Sequence, residues 1–164
     1  MQLPLHVLFL CTGNSCRSII GEALATDRGE GRLQGFSAGS HPTGQVNPNA
    51  LAVLARHGIT PSAPASKTMD DLAGERIDLV ISVCDAAAGE ACPLWLEPTP
   101  RVHWGLPDPA DAVGTPDEIA AAFEDTYEAL AWRVARLAAL DLESLEADDL
   151  LAACRAINAG AEAA

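Results

Sequence analysis

The chain has 164 residues, 49% of them hydrophobic, which is enough for one domain with a substantial buried core. Its formal net charge of −13 excludes nucleic acid and anionic lipid as partners held by general attraction, and no stretch predicts a membrane span. The first ten residues carry no basic segment ahead of their apolar run. The five cysteines are an odd number in a chain that needs no disulfide framework, so both features predict a cytoplasmic protein with thiols free for chemistry.

In chain order, Leu5 to Leu10 reads as a buried strand that stops at Cys11. Thr12, Gly13, Asn14 and Ser15 are small and turn-forming, and a helical pattern begins near Arg17 with Ile19, Ile20, Ala23 and Leu24 on one side. In a strand, tight loop and helix N-terminus of this kind, successive backbone N–H groups point inward without partners and form an anion site. Those N–H groups, the helix dipole and the Arg17 guanidinium are expected to favour a thiolate at Cys11, which would make it the nucleophile. Arg17 presents a planar fork that matches two oxygens of a tetrahedral oxyanion. The expected ligand is phosphate-sized, lined by Thr12, Gly13, Asn14, Ser15, Cys16, Arg17 and Ser18, with the Ser18 hydroxyl in reach of the Cys11 sulfur.

The first helix is expected to end between Asp27 and Gly31, followed by a second strand over Arg32 to Ser37 and a loop through Gly39 and Pro42. Pro48 opens a helix that closes before Gly58, and Ser62 to Asp71 reads as loop. Ile77 to Val83 is a third strand ending at Cys84, then come small residues around Gly89 and a fourth strand over Arg101 to Trp104. Thr115 caps a long helix running to about Ala139, and an acidic helix follows from about Leu145 to Ile157, with Ala159 to Ala164 expected to fray. The alternation predicts an α/β single-domain three-layer sandwich, a four-stranded parallel sheet with helices on both faces. Residues 1–140 are expected to form the domain and 141–164 an acidic C-terminal helical extension. Active residues of such folds gather at the carboxyl ends of strands, so Cys11, Ser37, Cys84 and Asp108 are expected at one rim.

The segment CTGNSCRS resembles the phosphate-binding loop of the low-molecular-weight protein tyrosine phosphatase superfamily, especially its arsenate reductase branch. The resemblance implies Cys11 as nucleophile, Arg17 as oxyanion ligand and Asp108, in the Asp-Pro pair of HWGLPDPAD, as proton donor to the leaving oxygen. Phosphatases of the superfamily carry a tyrosine after that pair, whereas this chain has Ala110, so phosphotyrosine is a poor fit. Cys84 and Cys92-Pro93 are similar to the second and third cysteines of the thioredoxin-linked reductases. Their spacing in VCDAAAGEACPLW is similar to the branch found in Gram-negative and related bacteria rather than the shorter Gram-positive pattern.

The resemblance implies that arsenate, with phosphate or sulfate as mimics, forms an adduct on Cys11, that Cys84 discharges it, and that Cys92 draws the oxidation out as a Cys84–Cys92 disulfide. Thioredoxin is the expected reductant ahead of glutaredoxin, because the chain supplies its own third thiol. No cofactor is expected, although some members hold a potassium ion, here beside Asn14 and Ser37. Glu22 is either a third member of that group or a solvated helix residue.

Other readings stand beside these. In a phosphatase, or in an oxyanion-binding redox sensor, Cys84 and Cys92 would be a core thiol and a loop thiol. Cys16 would only pack or donate its N–H, and Cys154 would be inert in the tail helix. A zinc site of Cys11, Cys16, Cys84 and Cys92 lacks knuckle spacing, as do His6, His41, His57 and His103.

Overall fold

The structure, a computed structural model, describes residues 1–163. Its centre is a four-stranded, all-parallel sheet of order β2-β1-β3-β4, with β1 over Leu5–Cys11, β2 over Leu33–Gly39, β3 over Leu79–Ser82 and β4 over Arg101–His103. Every residue of β3 is buried, and Leu5, Val7, Leu8 and Phe9 of β1 are fully so. Successive strand residues point to opposite faces, so this unbroken burial means that both faces of the central strands are covered.

The helices that cover them are amphipathic in the expected places. Helix α1 (Arg17–Arg28) packs on β1 and β2, and α2 (Pro48–Arg56) lies against α1. The Asn47 side chain caps α2 by accepting the Asn49 N–H at 2.9 Å. The small-residue segment after β3 opens as a short helix, α3 (Asp85–Ala88), touching β1 and β3. The long α4 (Pro116–Ala138) begins at a Thr115–Glu118 capping box and packs on α1 and α2.

Helix α5 (Ala147–Ala163) runs to the end of the described residues, so Ala159 to Ala163 form helix rather than a frayed tail; Ala164 lies outside the described residues. The physical reason is that this stretch is alanine-rich and continues a helix already anchored by Leu150, Cys154 and Ile157 in the core. These side chains pack in the same core as Leu5 and Phe9, and Trp104 Nε1 donates to the Cys154 carbonyl at 3.0 Å. No helix among the described residues is long and apolar enough to cross a membrane.

The stretch expected as loop over Ser62 to Asp71 contains a single 3-10 turn, Met69–Leu72, capped by Thr68. The residues just before that turn cross the end of β2, where Gly39 bridges to Thr68 and donates its N–H to the Lys67 carbonyl at 2.9 Å. A Cβ on Gly39 would stand 2.5 Å from the Thr12 carbonyl oxygen, so only glycine lets the strand end approach the loop after β1 this closely.

Candidate active site

The loop from Cys11 to Arg17 is shaped by bonds that turn its carbonyls outward. His41 N donates to the Thr12 carbonyl at 2.9 Å, Thr43 N to that of Gly13 at 3.0 Å and Asn47 N to that of Ser15 at 3.0 Å. The N–H groups of Gly13 to Cys16 have no acceptor among the described residues. Asn14 makes the tightest bend in the left-handed region at φ 45°, which asparagine tolerates better than most residues.

Asn14 also anchors the hydroxyl that stands beside the nucleophile. Its Oδ1 accepts the Lys67 N–H at 2.8 Å, and its Nδ2 therefore donates to Ser18 Oγ at 2.8 Å. Ser18 Oγ stands 2.9 Å from Cys11 Sγ, and to a Cys11 thiolate, which can only accept, its hydroxyl is the donor. All three side chains are buried, so this chain of bonds delivers a donor to the sulfur in a low-dielectric setting.

A cavity of about 160 Å³ opens above the loop, lined by Cys11, Gly13, Ser15, Arg17, Thr43 and Asp108 among others. Arg17 Nη1 donates to the Leu106 carbonyl at 2.9 Å, and Nη2 stands 3.5 Å from Asp108 Oδ2. Arg17 Nε is buried and has no partner among the described residues. A buried donor left unpaired is costly unless a ligand takes it, and an oxyanion seated on the loop N–H groups would do so.

Asp108 lies beyond the end of β4 and reaches the rim because the intervening backbone is tied to β3: Trp104 N donates to the Ser82 carbonyl at 2.8 Å and Leu106 N to that of Val83 at 3.0 Å. Its Oδ1 accepts the Ala110 N–H at 3.0 Å, which aims the other oxygen at Arg17. Ala110 lines the cavity where an aromatic side chain would narrow it.

Cys84 meets this loop from the neighbouring strand. Leu10 pairs with Ser82, so continued register sets Cys84 beside Thr12. Cys84 Sγ is 3.5 Å from Thr12 Oγ1 and accepts the Ala87 N–H at 3.4 Å. Cys92 is half-buried and takes a hydrogen bond from Arg101 Nη1 at 2.8 Å. Cys92 and Cys11 both line a narrow cavity of about 10 Å³, the space of one water molecule.

The other thiols are set apart. Burial pushes the Cys16 thiol up to about 11, and burial pushes Cys154, against Trp104, up to about 12. The four-cysteine zinc reading does not hold: among the described residues the one group of three with metal-ligand proximity is His57, Glu124 and Glu128, remote in composition from the loop.

Ser37 is corrected too. It pairs with Phe9 inside β2, ahead of the strand end at Gly39, and donates to Glu22 Oε2 at 2.8 Å rather than joining the rim. Glu22 is thereby a partner of Ser37, half-buried, with its carboxyl raised by burial and partly restored by the Lys67 charge.

These groups do not fit a potassium ion beside Asn14 and Ser37. Lys67 Nζ donates to the carbonyls of Ser37 at 3.3 Å and Ala65 at 3.0 Å, so a tethered ammonium already holds that place. Asn14 Oδ1 is spent on the Lys67 N–H. Ser66, which donates to the Gly13 carbonyl at 3.1 Å, reads in sequence only as a loop break, and Lys67 beside it carries no signal there.

A parallel β2-β1-β3-β4 sheet carrying a Cys-to-Arg oxyanion loop after β1 and an aspartate after β4 defines a cysteine-dependent enzyme of the phosphatase type. The chain belongs to the low molecular weight phosphotyrosine protein phosphatase family, whose model matches residues 6–149. Its relatives within that family include arsenate reductases. The one from Halalkalibacterium halodurans is 38% identical over 128 residues, spanning 78% of this chain and 91% of the relative.

Solved structures with this fold include arsenate reductases and, at 23% identity and a TM-score of 0.63, the tyrosine phosphatase Wzb of Escherichia coli K30. An arsenate reductase in its phosphate-binding state superimposes with a TM-score of 0.63 at 26% identity, over 80% of this chain and 97% of the other. A thioredoxin-dependent arsenate reductase from Corynebacterium glutamicum gives 0.58 at 25% identity, over 79% of this chain and 60% of the other.

Proposed function

We propose that this protein reduces arsenate to arsenite through a Cys11 adduct and a Cys11–Cys84–Cys92 disulfide relay recharged by thioredoxin. The observation that carries the reading is a second thiol, Cys84, 3.5 Å from the side chain of the residue that follows the nucleophile. A phosphatase needs only water to clear its cysteine, whereas reduction needs a neighbouring sulfur.

Arsenate binds with its oxygens on the loop N–H groups of Gly13 to Cys16 and on Arg17 Nε. The Cys11 thiolate, stabilised by the Ser18 hydroxyl, attacks arsenic, and the departing oxygen takes a proton from Asp108 and leaves as water. The Cys84 thiolate then attacks the Cys11 sulfur. A sulfur–sulfur bond forms, the sulfur–arsenic bond breaks, and its electron pair stays on arsenic, which leaves as arsenite. Cys92 attacks Cys84, freeing Cys11 as a thiolate, and the dithiol of thioredoxin reduces the Cys84–Cys92 disulfide.

Loop, nucleophile and acid equally serve phosphate ester cleavage, so slow phosphatase activity accompanies the reductase, and phosphate competes with arsenate. The absence of a tyrosine after Asp108-Pro109 supports a small inorganic substrate over an aromatic ester.

The test is a coupled assay with arsenate, thioredoxin, its reductase and NADPH, run on the unaltered chain and on the Cys84→Ser and Cys92→Ser variants. The unaltered chain is expected to turn over repeatedly and both variants to stop within one cycle. Undiminished repeated turnover by Cys92→Ser would contradict the relay.

A further inference from the structure

We infer that Arg101 is the positioning residue for the resolving step of the relay: its guanidinium holds the Cys92 sulfur as a nucleophile and fixes the span that carries that sulfur to Cys84. The inference rests on the relay proposed above and adds to it a residue with no counterpart in the loop, the acid or the thiols.

Arg101 begins β4, paired with Val80. An arginine at the start of a strand in a chain of this composition would ordinarily extend into water. Here it turns back across the segment after β3. Nη1 donates to Cys92 Sγ at 2.8 Å and to the Glu90 carbonyl at 3.0 Å, and Nη2 donates to the Ala87 carbonyl. One side chain therefore grips the end of α3, the middle of the small-residue span and its terminal thiol.

A guanidinium hydrogen bond to sulfur is directional, so it fixes where the Cys92 sulfur points. The three bonds also limit where the sulfur can travel. Cys92 lines the narrow cavity that Cys11 borders, with Ala87 and Ala91 on its own span and Leu10, Met69 and Arg101 among the residues closing the rest. The span between the two sulfurs contains three successive alanines and Gly89, and its helix is four residues long. Such a span unwinds at low cost when Cys84 is drawn to Cys11, and Arg101 keeps the far end in place meanwhile.

The resolving step itself balances. The Cys92 thiolate forms a bond to Cys84 Sγ, the Cys11–Cys84 bond breaks, and Cys11 leaves as a thiolate held by Ser18. No outside oxidant or proton enters. Arg101 loses an anionic acceptor as the new disulfide forms, which loosens its hold and frees the product disulfide for the reductant.

The experiment follows one turnover. Full-length chain, reduced and freed of reductant, is mixed with arsenate, quenched with acid at intervals, and its disulfides are mapped while arsenite is measured in the same samples. The unaltered chain, Arg101→Gln and Arg101→Lys are compared. Arg101→Gln is expected to release its first arsenite within about twofold of the normal rate, to accumulate the Cys11–Cys84 disulfide, and to convert it to Cys84–Cys92 at least about tenfold more slowly. Arg101→Lys is expected to recover part of that loss.

Normal conversion in Arg101→Gln would overturn the inference and leave the relay intact. Equal slowing of arsenite release and conversion would also overturn it, since a merely structural prop affects both steps. A lysine variant no faster than the glutamine one would remove the role of charge. Failure of the unaltered chain to form Cys84–Cys92 would instead sink the relay itself.

Discussion

Ser18 Oγ stands 2.9 Å from Cys11 Sγ while accepting the Asn14 amide at 2.8 Å, which holds the hydroxyl where it donates to a Cys11 thiolate. A donor fixed in this way at a buried anion is worth about 1.5–3 kcal/mol. Ser18→Ala is expected to lower kcat/KM for arsenate roughly 10- to 100-fold. Competition by phosphate should change little, because the loop N–H groups and Arg17 stay in place. Steady-state kinetics with phosphate as inhibitor separates the two effects.

The thiols are expected to divide by reactivity. Burial pushes the Cys154 thiol up to about 12, so the neutral thiol prevails at pH 8. Cys16, raised to about 11, follows the same sign: burial favours the neutral thiol, and only alkaline pH releases the anion. Iodoacetamide at pH 8 should therefore mark Cys92 in the native protein and spare Cys16 and Cys154, with all five modified after unfolding. Peptide mapping by mass spectrometry reads the outcome.

Glu22 gives a stability prediction with a definite sign. Its carboxyl is raised above 4.5 by burial, so the folded state holds its proton more tightly than the unfolded chain does. The stability this contributes is fully present below about 4.5 and is lost as pH rises through the folded value. Glu22→Gln keeps an acceptor for Ser37 without the buried charge. Its melting temperature should match the unaltered chain near pH 4 and equal or exceed it at pH 7, measured by calorimetry across that range.

Helix α5 belongs to the core as firmly as the sheet does. Leu150 is fully buried and Trp104 hands its indole hydrogen to the Cys154 carbonyl. Leu150→Ala is expected to cost about 2–5 kcal/mol and lower Tm by roughly 5–15 °C. Trp104 fluorescence should shift to the red as the indole meets water during the same unfolding transition.

The loop was legible in sequence because everything that makes it is local: an apolar strand, small turn residues and a helix start within a dozen positions. The rim was half legible. Cys11 ends β1, Cys84 and Asp108 follow β3 and β4, and all three reach it, but Ser37 falls inside β2, since strand ends are not marked by side-chain pattern when both faces are buried. Lys67 gave no signal and Ser66 only a loop break, because their role depends on a crossing of β2 that no nearby residue announces. Arg101 was hidden for a like reason: its meeting with Cys92 depends on where the span after β3 returns, a matter of tertiary packing rather than periodicity.

The most direct measurement is the disulfide state after one equivalent of arsenate has reacted with the reduced chain and no reductant is present. The account predicts one arsenite released per chain, a Cys84–Cys92 disulfide, and Cys11 back as a free thiol. Arsenite released with Cys84 and Cys92 both still reduced, or a chain that splits phosphate esters but leaves arsenate unreduced, would contradict it.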